Sequence, residues 1–187
     1  MSDEPKSDSS EHLLGEGRFL RLVRRGTWEL VERVGASGAA ALVALTDDRR
    51  LVLISQPRPA LGVEVIELPA GLVGDEPGCE GEGPEIAAAR ELTEETGYEA
   101  AHVERLCAGP TSPGLTSEQI TLYWASGLRR VGPGGGLESE SITVHEIPLA
   151  EVKTWLEARE RAGDLIDLKV YAGLYFAHAR AGDEGPK

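Results

Sequence analysis

The sequence predicts an α/β domain in which a mixed β-sheet lies between helical layers, preceded by a small β element. Two observations carry this prediction. Segments with strand-like and helix-like apolar spacing alternate in a mixed order, and no internal repeat is apparent. With 187 residues, 41% of them hydrophobic and 27% charged, the chain also has the composition of a globular domain with a sizeable core.

The chain divides into four parts. Residues 1–17 are polar, charged and serine-rich, which predicts a loosely ordered tail. Residues 18–36 predict a small β domain, because two alternating runs flank a turn signal at residues 25–27. The main domain is expected over residues 37–181, followed by a short tail over residues 182–187.

In the main domain, continuous apolar runs over residues 39–45 and 51–56 predict a hairpin of buried strands. A strand over residues 63–68 then leads into Pro69, Ala70 and Gly71. Three later strands are predicted near residues 103–107, 120–125 and 142–147, and two helices over residues 149–162 and 165–179.

Two segments of the C-terminal half carry more specific expectations. The glycine-rich residues 131–136 are expected to form a mobile connection. The last helix is expected to dock on the core through apolar side chains at helical spacing, which are Leu165, Leu168, Ala172, Tyr175 and Phe176.

The stretch between Pro84 and Gly97 predicts a helix with an acidic face. Proline suits a first helical turn, and glycine suits the left-handed position that ends a helix. Glu91, Glu94 and Glu95 gather on the face opposite the apolar positions. Carboxylates within one turn repel one another unless a cation lies among them, and oxygen ligands of this kind suit Mg²⁺. A solvated acidic surface is the alternative interpretation.

Charge and composition exclude several classes of partner. A net charge of −13 argues against binding to nucleic acid or to an anionic membrane. The N-terminus lacks the pattern of a secretory signal, and the longest apolar run is far too short to span a bilayer. Cys79 and Cys107 alone do not make a disulfide framework, so we expect a cytoplasmic protein.

The sequence RELTEETGY, residues 90–98, resembles the signature helix of the Nudix hydrolases, whose motif reads REUxEExGU with U aliphatic or aromatic. Glu82 stands where that motif expects a glutamate upstream. The motif's glycine would fall at Glu76, and Gly71 is its natural match instead. This departure indicates an insertion within residues 74–81, in the loop before the helix.

Further segments resemble the ADP-ribose pyrophosphatase branch of that family. They follow in the same order and read TWELVER, SQPRPALGVEVIELPAGL, TSPGLTSE, GLESESITVHEIP and DLIDLKVY. The resemblance implies a Nudix α/β/α sandwich that hydrolyses ADP-ribose to AMP and ribose 5-phosphate with Mg²⁺ or Mn²⁺. The alternatives are the same reaction on GDP-mannose or ADP-glucose, and a non-catalytic sensor that binds ADP-ribose.

The resemblance also implies roles for the residues around the helix. The metal ligands would be the carbonyl of Ala70 and the carboxylates of Glu91, Glu94 and Glu95. Glu140 is the candidate general base, Glu138 could replace it, and Glu94 is a further catalytic candidate. The residues expected to support the site are Gly71, Glu82 and Arg90, with Arg90 directed towards Glu82 and away from the acidic face.

Substrate contacts are implied for three more residues. Arg58 matches an arginine that contacts the substrate phosphates, and Pro113 lies where that branch commonly shows a proline, about fifteen residues after the signature. Trp28 matches a tryptophan that stacks on adenine, often from the other subunit, which implies a homodimer. A tryptophan buried in the core is the alternative for Trp28.

Overall fold

A computed structural model of the protein describes residues 11–74, 81–136 and 140–182. The strands are β1 (Glu11–Glu16), β2 (Leu20–Arg25), β3 (Trp28–Arg33), β4 (Ala39–Leu45), β5 (Arg50–Arg58), β6 (Val63–Glu67), β7 (Ala70–Leu72), β8 (Tyr98–Pro110), β9 (Gln119–Arg130), β10 (Thr143–Pro148) and β11 (Leu165–Ile166). The α-helices are α1 (Pro84–Thr96), α2 (Val152–Ala162) and α3 (Leu168–Ala181), and a single 3₁₀ turn (Leu149–Glu151) precedes α2.

The N-terminal part forms a three-stranded antiparallel sheet in the order β1-β2-β3. The predicted hairpin is confirmed as β2 and β3, but β1 lies in residues that the sequence assigned to the tail. That assignment was wrong for residues 11–16. All six side chains of β1 are exposed, so its sequence carries no buried face that would mark a strand.

The large sheet has the strand order β11-β6-β5-β4-β9-β8, with β10 paired to β5 and β7 paired to β4. It is mixed, because β4 runs parallel to β9 and β11 parallel to β6, while the other pairs are antiparallel. One buried cluster includes residues of α2 and α3, and the other includes residues of α1. The predicted mixed sheet between helical layers is therefore confirmed.

Helix α3 buries a different face from the predicted one. Leu165 belongs to β11, and the helix begins after Asp167, whose side chain accepts a hydrogen bond from the backbone N–H of Lys169. Leu168 and Tyr175 are 80% and 69% exposed. A second apolar stripe at the same spacing lies against the sheet instead, and its buried members are Val170, Gly173, Leu174 and Ala177. Gly173 permits this approach, because a Cβ there would lie 3.1 Å from the side chain of Leu68.

The glycine-rich segment at residues 131–136, which the sequence predicted to be a mobile connection, is hydrogen-bonded to the end of α1. The N–H of Gly135 donates to the carbonyl of Glu95 at 2.8 Å, and the N–H of Gly136 donates to the carbonyl of Glu94 at 3.0 Å. The glycine content predicted a backbone with many accessible conformations. Hydrogen bonds to α1, which is remote in the sequence, determine the conformation of the segment. Within the described ranges, each helix is too short or too polar to cross a membrane.

Candidate active site

Helix α1 has the predicted bounds. Pro84 lies in its first turn, and Gly97 takes the left-handed conformation, with φ of 74°, while its N–H donates to the carbonyl of Thr93. The buried residues of the helix are Ala87, Ala88, Leu92, Glu95 and Thr96, while Ile86 is 63% exposed. Ala87 and Leu92 lie within one turn of Glu91 and Glu95, so the acidic side chains border the core-facing side of the helix and are not opposite it, which corrects the predicted arrangement.

A cavity of about 370 Å³ lies between α1, β7 and the ends of β3 and β5. This one cavity is lined by most of the residues that the sequence predicted as metal ligands, phosphate contacts and general base. The predicted residues in its wall are Arg58, Ala70, Gly71, Glu91, Glu94, Glu95 and Glu140. The wall also contains Arg33, Glu67, Glu118 and Lys169.

Glu95 is buried, with only 5% of its surface exposed, which excludes the alternative interpretation of a solvated acidic surface for this residue. Its carboxylate accepts a hydrogen bond from the N–H of Ala70 at 2.9 Å. Burial raises the pKa of Glu95 to about 8, the Ala70 N–H opposes this, and the nearby charges of Glu91 and Glu140 add to it. At neutral pH this carboxyl therefore tends to hold a proton or to take a cation as its partner.

Gly71 allows β7 to pass directly beside the acidic face. A Cβ at this position would lie 2.0 Å from Cδ and 2.1 Å from Oε1 of Glu91. Any larger residue would displace that carboxylate or the strand. The position of Ala70 beside the helix thus depends on the glycine that follows it, as the sequence motif predicts.

Arg90 is directed towards Glu82, as expected, but it also lies among the acidic side chains of the helix instead of pointing away from them. Its guanidinium is 3.1 Å from Glu91, 3.2 Å from Glu94 and 3.5 Å from Glu82. Within the described residues, no three His, Cys, Asp or Glu side chains are already arranged to hold a metal ion. The oxygen-only donors around the cavity nevertheless fit a hard divalent ion, provided that Glu91 and Glu94 turn from Arg90 towards it.

The cations of the cavity wall are held by carboxylates. Arg58 makes a bidentate pair with the buried Glu67, and both N–O distances are 2.6 Å. This pair fixes the plane of the guanidinium beside the cavity, as phosphate recognition requires. The other two cations are also paired, Arg33 with Glu118 and Lys169 with Asp167.

Sequence reasoning missed Arg33, Glu67 and Lys169 as residues of the site. Each lies within a segment that resembles the pyrophosphatase branch, so the segments carried the signal. Single arginines, glutamates and lysines in such segments are otherwise typical of a solvated surface.

Five predicted residues are not in the described wall of the cavity, and two of them, Glu82 and Arg90, form an ion pair with each other. Trp28 is 63% exposed at the start of β3, which excludes the core role considered for it. Pro113 lies exposed in the loop between β8 and β9. Glu138 lies outside the described residues.

Comparison with known proteins identifies the domain that contains this cavity. The model of the NUDIX domain matches residues 36–166. The chain is 37% identical over 163 residues to a methanol dehydrogenase activator of Bacillus methanolicus, covering 83% of this chain and 85% of the relative. It is 36% identical over 154 residues to an ADP-ribose pyrophosphatase of Mycobacterium tuberculosis, covering 82% of this chain and 69% of the relative.

A solved structure described as an ADP compounds hydrolase shares the fold, with a TM-score of 0.70 and 21% sequence identity. The alignment covers 94% of this chain and 95% of the other. Together with the intact signature helix, the domain match over most of the chain identifies the family. The protein belongs to the Nudix hydrolase family.

Proposed function

We propose that this Nudix hydrolase splits ADP-ribose into AMP and ribose 5-phosphate, using Mg²⁺ or Mn²⁺. The observation that carries the proposal is the shared cavity, in which the carboxylates of α1, Glu140 and the anchored Arg58 face one space. The similarity to an ADP-ribose pyrophosphatase supports this choice of substrate.

The metal would be held by the carboxylates of Glu91, Glu94 and Glu95 and by the carbonyl of Ala70. Nudix hydrolases generally use divalent ions, and such an ion supplies charge neutralisation at the phosphates and a lower pKa for water. Glu95 suits this role because its carboxyl is buried and none of the ion pairs described for the cavity includes it. Gly71, Glu82 and Arg90 would hold the loop and α1 in fixed positions relative to these ligands.

The side chains of the cavity would bind the diphosphate and move the proton. Arg58, held flat by Glu67, would bind phosphate oxygens, with Lys169 and Arg33 as further cations. Glu140 would accept the proton of the water that attacks phosphorus, and Glu138 is the alternative base. The P–O bond of the bridge breaks as the new P–O bond forms, so that two phosphate monoesters leave.

The small sheet would complete the site from a second copy of the chain. Its exposed apolar side chains include Leu13, Phe19, Leu20, Leu22 and Trp28. Leu13 and Trp28 share one face of this sheet, whereas Leu20 and Leu22 lie on the other. Exposed apolar side chains of this kind are typical of a protein interface. In a homodimer, Trp28 would reach the adenine of the substrate in the partner's cavity, and Pro113 would lie in the loop beside it. We place this dimer in the cytoplasm.

The second candidate is the same reaction on GDP-mannose or ADP-glucose. It is favoured by the absence of any aromatic side chain from the described wall of the cavity, which leaves selection of the base and sugar to other residues. A third candidate is a regulator that only binds ADP-ribose. The similarity to a methanol dehydrogenase activator supports a regulatory role, but the intact carboxylates favour an enzyme.

The test is a panel of ADP-ribose, ADP-glucose and GDP-mannose assayed with Mg²⁺ and with Mn²⁺, with the products identified. We expect AMP and ribose 5-phosphate, and the highest kcat/KM for ADP-ribose. A higher kcat/KM for another sugar would transfer the proposal to that substrate. Binding of ADP-ribose without turnover under either metal would favour the regulator.

A further inference from the structure

The glycine-rich segment binds the C-terminal end of α1 through its backbone. Gly135 and Gly136 donate to the carbonyls of Glu95 and Glu94, and Val131 donates to the carbonyl of Gly97 at 2.8 Å. The last carbonyls of a helix have no partner within the helix, so the segment supplies partners that solvent would otherwise provide. We refer to residues 134–136 as the glycine clamp.

The clamp approaches the helix so closely that a side chain would not fit. At Gly134, where φ is 70°, a Cβ would lie 2.4 Å from the carbonyl carbon of Thr96 and 2.7 Å from the carbonyl oxygen of Glu95. Both neighbours are backbone atoms of the helix end, which cannot rotate away as a side chain can. Glycine at residue 134 is therefore a condition of the contact.

The clamp also touches the candidate base. At Gly136, where φ is 73°, a Cβ would lie 2.3 Å from Oε2 and 3.2 Å from Cβ of Glu140. The same residue donates its N–H to the carbonyl of Glu94. Gly136 thus connects Glu140 with the helix whose carboxylates face it across the cavity.

We propose that the glycine clamp positions Glu140 relative to the carboxylates of α1, with Gly134 and Gly136 as positioning residues. The inference rests on the proposed function, in which Glu140 accepts a proton from the attacking water. A general base must lie within hydrogen-bond reach of that water, and a misplacement of about 1 Å costs on the order of 100-fold in rate. Because the clamp is hydrogen-bonded to the helix backbone, it holds Glu140 at a fixed position relative to the carboxylates of α1.

The chain offers matched variants for the test. Gly134→Ala introduces both the backbone collision and the strain of a positive φ, whereas Gly135→Ala introduces the strain at a φ of 108° with no contact nearer than 3.9 Å. At Gly132 a Cβ meets nothing within 4 Å, so Gly132→Ala is the control. We expect kcat to fall about 100-fold for Gly134→Ala, by less for Gly135→Ala, and by under about twofold for Gly132→Ala.

A positioning role predicts that KM and the half-saturating Mg²⁺ concentration stay near the wild-type values in Gly134→Ala. It also predicts that the loss of kcat caused by Gly134→Ala depends on the presence of Glu140. When Gly134→Ala is added to Glu140→Gln, the further loss of kcat should be under about threefold, because the group being positioned is already gone. A full additional loss in the double variant would show that the segment acts only as a helix cap, and would overturn the proposal.

Thermal unfolding of each variant shows whether the fold is retained. If Gly134→Ala does not fold, Gly136→Ala replaces it, since its Cβ meets the movable end of Glu140. A folded Gly136→Ala with the kcat of Gly132→Ala would contradict the proposal. A failure of the proposed function differs from a failure of the clamp proposal, because the wild type would then be inactive on ADP-ribose. The variants would in that case be compared on whichever nucleoside diphosphate sugar the wild type hydrolyses.

Discussion

The cavity beside α1 and the outer face of the small sheet are completed in different ways. In the cavity, the cations are paired within the chain, as Arg58 is with Glu67 and Lys169 with Asp167. On the small sheet, Trp28 and Phe19 are each 63% exposed. The cations of the first region have their partners within the chain, whereas the second region has apolar side chains that folding of one chain leaves uncovered.

This difference separates the reaction from the recognition of the substrate. In the proposed function, the carboxylates and cations of the cavity act on a diphosphate, which every candidate substrate contains. The exposed ring of Trp28 would act on a base, which differs between candidates, and it would reach that base only if a second chain brought it there. Changes in the cavity should therefore affect all substrates, while changes in the small sheet should affect some of them.

The largest effect is expected from Glu95→Gln. The variant keeps the size of the side chain but removes a charge that the metal needs, so we expect kcat to fall by about 1,000-fold or more on every substrate of the panel. Steady-state kinetics at saturating Mg²⁺ measures this. Glu85→Gln, on the exposed side of the same helix, is the control and should keep the wild-type rate. Near-normal turnover in Glu95→Gln would remove Glu95 from the metal site.

Glu95 should also make the free energy of unfolding depend on pH when EDTA removes the metal, which is a smaller effect. The pKa of Glu95 is about 8 in the folded chain and 4.5 when unperturbed, so the folded state holds a proton that the unfolded state releases in between. The contribution of Glu95 to the free energy of unfolding should therefore be highest below pH 4.5 and fall as pH rises towards 8, by at most about 5 kcal/mol.

Urea unfolding of wild type and Glu95→Gln between pH 5 and pH 8 isolates this contribution. The stability of wild type relative to the variant should decrease as pH rises, because glutamine does not titrate. Glu85→Gln should follow wild type across the range. Parallel curves for wild type and Glu95→Gln would mean that burial does not perturb the Glu95 carboxyl.

The sequence predicted the bounds of α1 to the residue, because its start and its end depend on local chemistry at Pro84 and Gly97. It did not predict the burial of Glu95 or the bound glycine clamp. Both depend on segments remote in the chain, namely β7 and residues 134–136, which close over the helix only in the folded structure. Strand β1 was missed for a related reason, since pairing without burial leaves no apolar pattern.

The smallest effect is expected from Trp28→Ala, and it should depend on the substrate. Stacking on a base contributes about 1–3 kcal/mol, so we expect KM for ADP-ribose and ADP-glucose to rise about tenfold, with kcat unchanged and KM for GDP-mannose changed less. Phe19→Ala removes an equally exposed ring from the same sheet and is the control for the interface. Sedimentation of both variants reports the dimer. If Trp28→Ala dissociates the dimer and raises KM equally for every nucleotide, Trp28 serves the interface and does not recognise adenine.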